Sequence, residues 1–212
     1  MIKKYLKNII ITSFIVILPM LCGFVIWDKL PSKLPTHWNF QGEIDGWSSK
    51  PFAVIFLPLF ILAMHIICVV ATNLDPKNEG VNPKIMNLIM WICPVLSVLC
   101  QTSVYAAGLG KDVNIELFAP LIVGMVLLIV GNYLPKCKQN YTIGIKIPWT
   151  LNDEENWNKT HRFAGALWTV CSLVIMSGAF FKKAVAYLTF VPIAVMVLVP
   201  MIYSYIYYRK HR

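Results

Sequence analysis

The sequence predicts an all-α membrane protein, a six-helix transmembrane bundle with a structured extracellular first loop and a cytoplasmic amphipathic helix before the fifth span. Two observations set the class. Hydrophobic residues make up 58% of the 212-residue chain and charged ones 14%, a balance that a water-soluble domain of this size cannot hide in its core. Six apolar runs also approach or meet the roughly 20 residues needed to cross a hydrocarbon layer about 30 Å thick. Their unbroken length excludes a β-barrel.

In order, the runs are Ile9 to Trp27, Phe52 to Thr72, Ile85 to Ala107, Ile115 to Leu134, Phe163 to Phe181 and Ala184 to Tyr208. Ser49 with Pro51, Asn82 with Pro83 and Asn114 with Glu116 supply a cap followed by a residue suited to a first helical turn. The first run is longer than a signal-peptide core, and no small-x-small site follows it. Leu21 before Cys22 is too bulky for lipoprotein processing, so the run is expected to be a mature helix. Cys22, Cys68, Cys93, Cys100, Cys137 and Cys171 form no C-x-x-C pair and read as small apolar fillers.

Basic residues set the orientation, because Lys and Arg near helix ends resist export. With the N-terminus inside, Lys3, Lys4, Lys7, Lys77, Lys84, Lys136, Lys138, Lys146, Lys159, Arg162, Arg209, Lys210 and Arg212 are cytoplasmic. Lys29, Lys33, Lys50, Lys111, Lys182 and Lys183 are outside, a bias of about two to one. The acids divide evenly, with Asp75, Glu79, Asp153, Glu154 and Glu155 inside and Asp28, Glu43, Asp45, Asp112 and Glu116 outside. The formal net charge of +9 is therefore topological bias and attraction to anionic lipid, and it gives no argument for direct nucleic-acid binding. The chain reads as one polytopic domain with both termini cytoplasmic.

Two polar islands interrupt the apolar sequence. The first, residues 28–51, is too long for a turn between helices. Pro35, Gly42 and Gly46 fix turns, and Trp38 and Trp47 suit a lipid headgroup layer, so the segment reads as a cap. His37, Glu43 and Asp45 are possible metal ligands, but neither their spacing nor a fourth ligand is diagnostic. The expectation is no metal, with the carboxylates bonding turn amides and His37 beside tryptophan.

The second island, residues 135–162, is cytoplasmic by charge. Pro135 and Pro148 stop helices and Gly144 permits a turn, while Thr150 or Asn152 is expected to cap a helix whose first turn carries Asp153, Glu154 and Glu155. Trp157, His161 and Ala164 share one face of that helix, set against the membrane or the bundle or offered as a docking surface. Asn156, Lys159 and Arg162 are expected to face water.

Gly131-Asn132-x-x-Pro135, Asn140, Gly144-Ile-Lys146-Ile-Pro148-Trp149-Thr150-Leu, Trp157 and Thr160-His161-Arg162 resemble the signature of the SdpI family of bacterial membrane immunity proteins. The outer Pro35-x-His37-Trp38-Asn39-x-x-Gly42-x-x-Asp45-Gly46-Trp47-x-x-Lys50 is similar to the small domain of unknown function that often precedes it. Together the blocks and intervening spans cover nearly the whole chain. Lys146 departs from the arginine that many relatives carry, which weakens any role needing a planar guanidinium. The resemblance implies a plasma-membrane protein that protects a producing cell from a secreted, membrane-active toxin peptide, the sporulation-delaying protein. It also implies possible retention of a cytosolic transcriptional repressor at the membrane once toxin is bound.

A transporter or channel is the alternative class, and its signal is intramembrane His65, supported by Gln101 and Asn87. An enzyme is not expected: His37 lies outside and His161 inside, and neither has a nucleophile with motif context. No cofactor is expected. Gly124 and Gly131, seven apart, read as helix packing within the monomer. The tyrosines and basic residues near the C-terminus read as an interfacial anchor.

Overall fold

The computed structural model describes residues 2–77 and 83–211. Its helices are α1 (Ile2–Val25), α2 (Leu57–Leu74), α3 (Pro83–Gly108), α4 (Ile115–Tyr133), a short α5 (Pro148–Leu151), α6 (Glu154–Ser177) and α7 (Val185–Lys210). Among the described residues, six helices are long and apolar enough to cross a membrane. The expected Asn82 cap, and Glu79 and Arg212 of the charge count, lie outside the described residues.

The surface of these helices is apolar. Ile10, Val25, Val170, Phe190 and Ile206 are all more than half exposed, which only a hydrocarbon solvent makes stable. Buried polar side chains instead bond carbonyls on the same or a neighbouring helix, as they must where no water replaces a lost partner.

The residues group into two compact units. In the first, Met1–Asn73 with Met86–Ile115, the polar first loop folds as a two-stranded antiparallel hairpin of β1 (Lys33–Trp38) and β2 (Ile44–Ser49). Ser49 pairs with Lys33 as the last residue of β2, so the expected Ser49 cap of the second span is replaced by a strand end. The helical turn that follows is a wide π turn at Phe52–Phe56 leading into α2.

Leu34, fully buried, roots the hairpin in a core of Leu30, Ala53, Val54, Val104 and Tyr105, with Trp27 and Trp38 packed on it. A Cβ on Gly108 would overlap the end of the Leu34 side chain, so a larger residue there would force Leu34 to shift within this core. Around this core Gln101 donates to the Ala53 carbonyl in the π turn and to the Tyr105 hydroxyl. Tyr105 donates to the Pro19 carbonyl at 2.9 Å and Ser97 to the Val16 carbonyl at 2.9 Å.

The second unit is Leu74–Ile85 with Glu116–Arg212. Its helices approach closely at glycines: a Cβ on Gly124 would stand 2.9 Å from the Ser172 carbonyl, and one on Gly131 2.8 Å from Trp168 Cβ. Both glycines of the small-residue face are thus spent on packing α4 against α6. Cys171, Ile175 and Met196 form the core between α6 and α7.

Tyr105→Phe removes the donor to Pro19 and the acceptor of Gln101. It should cost about 1 kcal/mol, read as a lower unfolding midpoint in detergent, while Ser103→Ala on the exposed face of the same helix leaves the midpoint unchanged.

Candidate functional site

The hairpin is organised by Asn39. Its Oδ1 accepts from the Gln41 and Glu43 amides at 3.0 and 2.9 Å, and its Nδ2 donates to Glu43 Oε2 at 3.0 Å. Gly42 completes the turn at φ 78, a left-handed conformation that glycine adopts without a Cβ clash. The carboxylates therefore do not bond turn amides as expected. Asp45 instead pairs with His37, Oδ1 to Nδ1 at 2.5 Å, across a register where His37 faces Gly46. A Cβ on Gly46 would come within 2.7 Å of His37 Cβ, so that glycine makes the pair's crossing possible. Trp38 is half-buried against the core, whereas Trp47 is 56% exposed and Phe40 46% exposed near the tip.

The second polar segment is built from the Trp157–His161 pair. Trp157 is fully buried and His161 nearly so, and their rings stack with centroids 4.0 Å apart. The Ile145 amide donates to His161 Nε2 at 2.9 Å, so Nε2 is the bare nitrogen and Nδ1 carries the proton, which it gives to the Trp157 carbonyl at 2.8 Å. Both ring nitrogens are used only by the neutral form. Trp157 Nε1 donates to the Cys137 carbonyl at 2.8 Å. Gly144, at φ 114, lies against both rings, and a Cβ there would collide with His161.

Asn140 folds the loop before this pair. Its Oδ1 accepts from the Thr142 and Ile143 amides, and its Nδ2 donates to the Lys138 and Ile143 carbonyls. Burial pushes the neighbouring Cys137 thiol up, which suits an unreactive filler. After the loop, Pro148 opens α5 and the buried Thr150 hydroxyl donates to the Ile145 carbonyl at 2.7 Å. Thr150 and Asn152 do not cap the following helix. Asp153 does, accepting from the Glu155 and Asn156 amides, because it sits one residue before the first helical turn. The helix then runs unbroken into the fifth span.

The motif residues divide into two sets. Asn140, Gly144, Pro148, Thr150, Trp157 and His161 converge, and Pro135 packs against Gly165. Asn132, Lys146 and Arg162 are exposed and stay outside the network. Trp149 instead packs on Tyr205 and Tyr208, with ring centroids 5.4 and 6.3 Å away.

Asn156, expected in water, is fully buried. It donates to the Ser204 carbonyl at 3.1 Å and accepts from the Ser204 and Thr160 hydroxyls at 2.7 and 2.9 Å, which locks α6 to α7. Its spacing four before Thr160 was the available signal. Asp75 was legible only as an acid after a helix. It accepts from the Tyr141 amide at 2.7 Å, the Lys77 amide at 2.9 Å and the Thr142 hydroxyl. Burial by itself raises its pKa, but these hydrogen bonds, that from Thr142 foremost, outweigh it and hold Asp75 below the usual carboxylate range.

Within the apolar helices, His65 is fully buried with Nε2 3.1 Å from the Thr12 hydroxyl. Gln101 serves Ala53 and Tyr105 instead, and Asn87 is exposed. The structure does not join the three into a relay. Among the described residues, no three His, Cys, Asp or Glu side chains converge on a metal position.

Gly144→Ala should destabilise the protein by about 2 kcal/mol through backbone strain and collision with His161, read as red-shifted tryptophan emission and a lower unfolding midpoint. Asp75 gives a pH signature. Its folded pKa lies below the unfolded value of about 3.9, so its stabilisation is complete above that pH and is lost as pH falls through the folded value. Unfolding midpoints between about pH 5 and 2 should fall more steeply for the native chain than for Asp75→Asn.

The family comparison agrees with this division of the chain. Residues 136–204 match the SdpI/YfhL protein family, and residues 14–62 match a domain of unknown function (DUF1648). No solved structure matches. The chain is 31% identical over 206 residues to the "Immunity protein SdpI" of Bacillus subtilis (strain 168), covering 97% of this chain and 98% of that protein. A multi-pass membrane protein that aligns with that relative over nearly the whole of both chains, and whose second polar segment lies in the family match, belongs to the SdpI/YfhL family.

Proposed function

We propose that this chain is an immunity protein of the bacterial plasma membrane that protects its cell from a secreted, membrane-active toxin peptide. The observation that carries the reading is the alignment with the Bacillus subtilis immunity protein over nearly the full length of both chains. Immunity of this kind needs no reaction and no cofactor. A hydrophobic peptide partitions into the same bilayer as the six helices, where it can be bound before it disrupts the membrane.

The basic-residue bias supports an orientation with both termini and the Asn140 loop in the cytosol and the hairpin outside. The toxin-side cap is then His37, Trp38, Asn39, Gly42, Asp45, Gly46 and Trp47, with the exposed Trp47 as its contact. On the cytosolic face, exposed Lys146 and Arg162 flank a rigid loop suited to docking a transcriptional repressor. Both compact units work together as one membrane domain.

Expression in a toxin-sensitive cell tests the reading. The intact chain should raise the tolerated toxin concentration, and Trp47→Ala at matched membrane levels should lower it about ten-fold, the cost of removing one aromatic anchor. Survival no better than that of cells lacking the chain overturns it. The orientation is checked separately by replacing the native cysteines and labelling Trp47→Cys and Lys146→Cys. An impermeant reagent applied to whole cells should modify only the first.

A further inference from the structure

A cavity of about 370 Å³ opens beside the start of α5 and the last turn of α7. Trp149, Tyr205 and Tyr208 form three of its walls, and Pro148, Asn152, Asp153 and His211 line the rest. Tyr205 meets the Trp149 ring edge-on at 62°, while Tyr208 lies at 28° to it. Three aromatic rings beside one carboxylate are what a cation seeks, since the ring faces carry negative potential and the acid supplies a charge.

A further observation narrows the ligand. Arg209, exposed in the same last turn of α7 and one helical turn after Tyr205, repels a simple cation but attracts an anion on the cage's side of the helix.

Depth supplies the source. The 26 residues of α7 extend about 39 Å at 1.5 Å each, longer than a hydrocarbon layer of about 30 Å, so the terminal turn stands in the headgroup layer. We propose that this cavity seats the headgroup of a zwitterionic, amine-bearing phospholipid. The ammonium enters the Trp149, Tyr205 and Tyr208 cage beside Asp153, and the phosphate meets Arg209. A purely anionic headgroup fits worse because it would bring its charge against the Asp153 carboxylate. The proposal does not depend on the immunity reading.

The test uses the full chain in a non-ionic detergent, with bound lipid counted by native mass spectrometry. The chain is titrated with phosphatidylethanolamine, with phosphatidylglycerol of the same acyl length, and with water-soluble glycerophosphoethanolamine. Phosphatidylethanolamine should reach half-occupancy at about one-tenth the concentration of phosphatidylglycerol. Trp149→Leu and Asp153→Asn should each weaken phosphatidylethanolamine about ten-fold and leave phosphatidylglycerol unchanged. Asparagine keeps the helix cap of Asp153, so the second variant isolates the charge even if the first perturbs folding.

Equal binding of the two lipids, or phosphatidylethanolamine binding unchanged in both variants, overturns the site. Glycerophosphoethanolamine competing as strongly as the lipid upholds the ammonium cage but overturns its assignment to a membrane lipid.

Discussion

The second half of the molecule depends on one neutral imidazole. His161 accepts the Ile145 amide at one nitrogen and donates to the Trp157 carbonyl at the other, and so ties an irregular loop to the first turns of a membrane-length helix. Protonation would remove the acceptor and leave a buried amide unpaired, at a cost comparable to a lost hydrogen bond. The stacked Trp157 ring, the glycine that lets the loop lie flat on both rings and the asparagine that curls the loop beforehand all follow from that placement. Non-helical backbone at the edge of a bilayer is tolerated only where its polar groups find partners in the protein, and this cluster supplies them.

The hairpin answers the same constraint in a different way. A two-stranded ribbon is marginal by itself, and here it is held by Leu34 buried below and by Asn39 at the turn. The His37 and Asp45 pair is exposed, so its contribution is small. Its position across the Gly46 notch shows instead why a glycine is needed in the middle of β2. Trp47 is left facing outward, with more than half of its surface uncovered.

These arrangements explain why the family signature is scattered along the sequence. The residues that converge are a backbone-permissive glycine, an asparagine amide that pairs with loop backbone groups, two buried stacked rings, a helix-opening proline and the buried Thr150 hydroxyl. Asn132, Lys146 and Arg162 belong to none of these and remain on the surface. Lys146 faces solvent, so the fold requires no planar guanidinium fork at that position.

Composition and the length of apolar runs determined by themselves that this chain crosses a membrane with six helices, because the bilayer imposes a length that sequence must meet locally. Glycine and proline punctuation likewise marked both polar segments. Tertiary structure alone decided which polar residues are buried. Asn156 and Asp75 look like surface groups in sequence, yet one locks two helices and the other anchors a loop, since partners 48 and 66 residues away are invisible to local pattern. It also separated His65 from Gln101 and chose Asp153 over Thr150 as the helix cap. The physical reason is common to all: a polar side chain is settled by the unmet hydrogen bonds around it, and those exist only once the backbone has folded.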